Sequence, residues 1–149
     1  GGEPMVPPAR LLEVPAGELQ VRLKGRSCKK YATPPKCDQP MSLANELAAL
    51  RRCAGAMAQQ IAAYPTTLEQ DEELLPTLTG LPRMLVILRR DEKVVLRHWK
   101  RFFDLALEAA ELPEEKIGEM AEEAFGKYGA ETGYLRTTLA AVLAVERKG

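Results

Sequence analysis

Along most of the chain, apolar residues recur every three or four positions and polar residues fill the gaps. From Ser42 onward, Leu43, Leu47, Leu50, Ala54, Met57 and Ile61 fall on one stripe of a helix of roughly twenty residues. Ser42 suits the N-cap, because its hydroxyl accepts from the open amides of the first turn. Tyr64-Pro65 ends this helix, since the residue before a proline is pushed out of helical geometry. Thr67 and Gln70 have the spacing of a capping box and predict a second helix. Leu68, Leu75 and Leu78 give its apolar side, and Thr79-Gly80 closes it. Glu69, Asp71, Glu72 and Glu73 crowd its first turns, where the helix dipole favours negative charge. That placement explains the acids without acid–base chemistry or a metal.

Pro82 fits the first position of a third helix. Its stripe, Leu81, Leu85, Leu88, Val95, Trp99, Phe102 and Ala106, runs to about residue 110, roughly 45 Å. Arg90-Asp91 is where a break would fall, because Glu92 interrupts the stripe. Leu112-Pro113-Glu114-Glu115 opens a fourth helix carrying Ile117, Met120, Ala121, Ala124, Phe125 and Tyr128, with Gly129 as its C-cap. Thr132 starts a fifth with Leu135, Leu139, Val142 and Leu143, and Arg147 and Lys148 at the end the dipole favours. Short connections imply antiparallel neighbours. The expected fold is all-α, an irregular antiparallel helical bundle of about five helices spanning residues 42–149.

Residues 1–41 read differently. Seven of the eleven prolines lie there, which excludes a continuous helix. Leu19, Val21 and Leu23 alternate with Gln20, Arg22 and Lys24, the period of a half-buried strand. Residues 11–14 could pair with it across Pro15-Ala16-Gly17 as a short β-hairpin. This arm is Pro-rich and basic, with Lys24, Arg26, Lys29, Lys30 and Lys36 and no acid between residues 24 and 36. The chain opens on Gly rather than Met, which points to processing or to a longer parent protein.

Composition narrows the chemistry. Twenty-one Lys and Arg balance 21 Asp and Glu, which disfavours nucleic acid or an anionic membrane as the main partner. No apolar run is long enough to span a bilayer. There is no glycine-rich phosphate loop and no nucleophile elbow. His98 is the single histidine and has no carboxylate partner nearby in sequence, so it reads as a polar residue beside Trp99. Cys28, Cys37 and Cys53 lack the spacing of a zinc knuckle and read as free thiols. The charge is segregated, however. Arg83, Arg89, Arg90, Lys93, Arg97, Lys100 and Arg101 face only Asp91 and Glu92 between residues 83 and 101. This suggests either a solvated face answering the acidic second helix or a docking surface for an acidic protein, centred on Arg89, Arg90, Lys93 and Arg97.

One block is specific. Tyr64-Pro65-Thr66-Thr67-Leu68-Glu69-Gln70-Asp71-Glu72-Glu73-Leu74-Leu75 resembles the C-terminal substrate-binding domain of Rubisco large-subunit lysine methyltransferase-like SET proteins. Ser42-Leu43-Ala44-Asn45-Glu46-Leu47 before it and the Arg83 to Leu96 stretch with Glu92-Lys93-Val94-Val95-Leu96 after it agree in order and spacing. The likeness covers about residues 41–100. Gln70 replaces a common Glu, and Arg90-Asp91 stands where relatives often carry Leu-Gly.

The resemblance implies a helical domain that docks a protein substrate for a SET-type protein-lysine methyltransferase. S-adenosylmethionine would belong to the SET domain, whose signature this chain lacks. The chain alone would then hold no cofactor and no catalytic or metal site, and would transfer no methyl group. The resemblance also implies a chloroplast location. The alternative is a non-catalytic structural subunit of a large plastid assembly that kept the helical fold.

Overall fold

The computed structural model describes residues 40–148. The hairpin expected over residues 11–23, and Cys28 and Cys37, lie outside the described residues.

Helix α1 spans Leu43–Ala63. Ser42 caps it as expected: its backbone is extended and its hydroxyl accepts from the Asn45 amide at 3.1 Å. Tyr64 leaves helical geometry ahead of Pro65. Helix α2 spans Leu68–Leu74 and has both arms of the capping box. The Thr67 amide donates to Gln70 Oε1 at 2.8 Å, and the Gln70 amide donates to Thr67 Oγ1 at 3.1 Å. It stops short of the expected Leu78. A 3-10 turn over Leu75–Thr77 takes over, because Pro76 supplies no amide to continue the α-helix.

Helix α3 spans Gly80–Ala109 without a break at Arg90-Asp91. Glu92 is accommodated because its face is open to water at that point. Pro82 is the third residue of α3 rather than the first; the amide it lacks is one the first turn leaves without a helical partner. Helix α4 spans Glu114–Phe125 and ends at Gly126, whose φ of 83° is left-handed. Gly126 is therefore the C-cap, and the expected role of Gly129 is corrected. Tyr128 lies beyond the helix and is 91% exposed instead of facing the core. Gly129 precedes the next helix, where an added Cβ would meet the Phe125 carbonyl oxygen at 2.8 Å.

The last helical stretch, α5, runs in three contiguous pieces: Ala130–Gly133, a π-helical turn over Tyr134–Leu139, and Ala140–Lys148. Thr132 does not begin it. It is buried two residues inside, where its hydroxyl donates to the carbonyls of Gly126 at 2.6 Å and Ala121 at 3.2 Å. The wide π turn absorbs one residue and keeps Leu135, Leu139 and Leu143, spaced by four, on the core.

The core lies where α1, the second half of α3, α4 and α5 meet. Phe102 stands edge-on to Trp99, Phe125 and Tyr134, with ring centroids 5.5–5.9 Å apart. Two polar ties close the bundle. Tyr134 donates its hydroxyl to the buried Glu46 carboxylate of α1. Arg147 donates to the carbonyls of Ala110 and Leu112, in the connection that follows α3. The helical class follows the periodicity, and α1 runs antiparallel to α3: Tyr64, just past the end of α1, meets Lys93 at the middle of α3, while Tyr134 touches both Glu46 near the start of α1 and Phe102 further along α3.

Candidate functional site

The block that carries the resemblance forms α2 and the turn before it, and the structure shows what fastens it. Asp71 has no exposed surface. Its Oδ1 accepts from Arg89 Nε at 3.0 Å, Arg89 Nη2 at 2.6 Å and the Thr66 hydroxyl at 2.8 Å. Its Oδ2 accepts from Lys93 Nζ at 2.5 Å, and Lys93 is only 3% exposed. The ammonium also donates to Thr66 at 2.7 Å and lies 4.9 Å from the centre of the Tyr64 ring. Burial alone would raise the Asp71 pKa. The hydrogen bonds from Arg89, Lys93 and Thr66 outweigh it and hold the carboxyl well below the usual carboxylate range.

One turn further along α3, Arg97 grips Glu69 with both terminal nitrogens, at 2.6 and 2.9 Å. The Glu69 pKa is lowered to about 2, first by the hydrogen bonds from Arg97 and then by a backbone amide and Thr67. Arg83 donates to the Leu75 carbonyl at 2.6 Å, where the 3-10 turn begins. Helix α2 and the turn after it are thus laid along residues 83–97 of α3 by four basic side chains, Arg83, Arg89, Lys93 and Arg97.

This arrangement locates the four basic residues expected to face a partner. Arg89 and Lys93 point inward to Asp71, and Arg97 is taken up by Glu69. Arg90 pairs with its neighbour Asp91 at 2.9 Å. Lys100 pairs with Asp104, and Arg101 lies against the Phe125 ring. Of the seven basic residues between 83 and 101, Arg89, Lys93 and Arg97 are thus matched by carboxylates of the α2 segment, and Arg90 and Lys100 by acids of α3 itself. His98 does have a carboxylate partner: Glu131, from the start of α5, lies 2.7 Å from Nε2. Cys53 is half-buried in α1, and burial raises its thiol pKa, so nothing there activates it as a nucleophile.

Sequence reasoning missed an open face. Leu81, Leu85, Leu88 and Val95 fall on the stripe of α3 expected to face the core, yet each is 53–65% exposed, and Met84 beside them is 61% exposed. The stripe is continuous with Trp99, Phe102 and Ala106, which are covered by α1, α4 and α5. Its first half is not covered by any described residue. The signal was present in the lengths. A 21-residue α1 antiparallel to a 30-residue α3 leaves several turns of α3 without a counterpart.

No described helix is long and apolar enough to cross a membrane. The sequence model of the family described as Rubisco LSMT substrate-binding matches residues 4–96. That is more than half of the chain, and it takes in α1, α2 and the open half of α3. No curated protein and no solved structure matches.

Proposed function

The chain belongs to the Rubisco LSMT substrate-binding family, and from that premise we propose that it is the protein-docking domain of a SET-type protein-lysine methyltransferase. The observation that carries this reading is the family match itself, which spans residues 4–96. The geometry is consistent with a binding role: polar side chains on α2 and α3 hold the two helices to one another, and apolar side chains of α3 face outward. In this reading Arg89 and Lys93 are positioning residues that fix α2. S-adenosylmethionine is bound by the SET domain of the parent protein, which makes and breaks the methyl bonds. The family name also supports a chloroplast location.

The test is competition. Native protein carrying this sequence is purified and given isotope-labelled S-adenosylmethionine with the proteins of its source, and the principal labelled protein is taken as substrate. Excess isolated chain should then raise the apparent KM for that intact protein. Methylation of a short peptide carrying the same lysine should be unchanged. No inhibition at saturating chain would overturn the proposal.

A further inference from the structure

We propose that the open face of α3 binds an amphipathic α-helix of the partner protein, apolar along its centre and basic on the edge that meets Glu92. This deepens the docking reading and rests on it. Leu81, Met84, Leu85, Leu88 and Val95 recur at helical spacing over residues 81–95, about 21 Å or four turns. Together they leave roughly 500 Å² of apolar side chain in water, the scale at which a surface patch marks an interaction site. Nothing on this face offers a strand edge, because the backbone of α3 is committed to its own helix. Contact must be side chain to side chain, ridges into grooves, which a second helix supplies.

Size and charge select the occupant. A second copy of this chain would bury about 1,000 Å² in all, short of the roughly 1,200–2,000 Å² of stable specific interfaces. An interface of that size suits a substrate that must leave after each turnover. The charge on the row is acidic. Glu92 is exposed between Leu88 and Val95, and among the described residues it is met by the Tyr64 hydroxyl rather than by a cation. By the 3.6-residue period, Arg90 and Arg97 lie on the opposite side of α3. A partner helix with a lysine or arginine flank therefore complements this face, and an acidic one does not.

The probe is a fluorescent 18-residue helical peptide with leucines at i, i+4, i+7 and i+11, alanine and glutamine elsewhere, and two lysines on one flank. It is titrated into the full chain and followed by anisotropy, with sedimentation run in parallel. Saturable binding is expected in the micromolar range. It should weaken at least tenfold in the L85D/L88D variant and several-fold in E92K, and should stay within twofold in R90Q. Circular dichroism checks that each variant is folded, and L81A/L88A, which adds no buried charge, supplies a milder loss.

Three results would overturn the proposal: no saturable binding by the full chain, equal binding of a peptide with the leucines scrambled, or a chain dimer that L85D/L88D dissociates. The docking reading would survive any of them, because competition by the isolated chain measures docking whatever surface performs it.

Discussion

Removing the charge of Asp71 should loosen the whole α2 segment. In D71N the side chain keeps its size, but Lys93 is left as a buried ammonium whose anion is gone. Breaking a buried pair by removing one partner destabilises by about 3–5 kcal/mol. The lower end applies here. Arg89 is a third exposed, so its share is screened by water, and Thr66 still accepts from Lys93. A loss of about 3 kcal/mol in a domain of this size lowers Tm by roughly 12 °C.

The assay is urea unfolding of the full chain and of D71N, K93M and D71N/K93M. The double variant should be more stable than the sum of the single losses predicts, by about 1–2 kcal/mol, because each single change leaves the other group buried without its charge partner. Acid should act the same way. The Asp71 carboxyl is held lower in the folded chain than in the unfolded one, so its contribution is complete above about pH 4 and fades as pH falls below that. D71N should lack that part of the acid slope. A loss under 1 kcal/mol in D71N, or strict additivity in the double variant, would refute the idea that this buried pair fastens α2.

Other changes should act locally. T132V removes the hydroxyl that serves the Gly126 and Ala121 carbonyls and should cost about 1–2 kcal/mol by urea unfolding. G129A forces a Cβ against the Phe125 carbonyl oxygen and should destabilise by about 1–3 kcal/mol, whereas G55A, inside α1 with open space around it, should stabilise by about 0.5–1 kcal/mol. Carboxyl NMR should find Glu69 titrating at about 2, chiefly because Arg97 donates to it, and R97Q should move it up toward the ordinary range. An ordinary Glu69 titration in the unmodified chain would show that the pair does not persist in solution.

Much of this architecture is written in local signals. Ser42, the Thr67 and Gln70 pair and Tyr64-Pro65 act on their own neighbours, so their effect is visible before any tertiary contact is known. Pro76 was equally local and should have ended α2 early. The end of α4 was harder. Two glycines lie within four residues, and the chain reverses at Gly126 because the positive φ is needed there, while Gly129 is required for close approach.

The site was less legible. A period of 3.6 identifies which face of α3 is apolar but not what lies against it, so Leu81 and Leu88 read as core when they are open. The same limit applies to charge. Summed along α3, the basic residues look like a surface waiting for a partner. Asp71 and Glu69, brought across by the turn at residues 75–79, answer Arg89, Lys93 and Arg97. Likewise the partner of His98 is Glu131, supplied by a helix that packing alone brings near.

The most direct measurement is the intact mass of the native protein that carries this sequence. As the docking domain of a methyltransferase, the chain should be found within a polypeptide far heavier than its own 16.4 kDa, with the catalytic domain in the same molecule. A native mass of 16.4 kDa would contradict that placement.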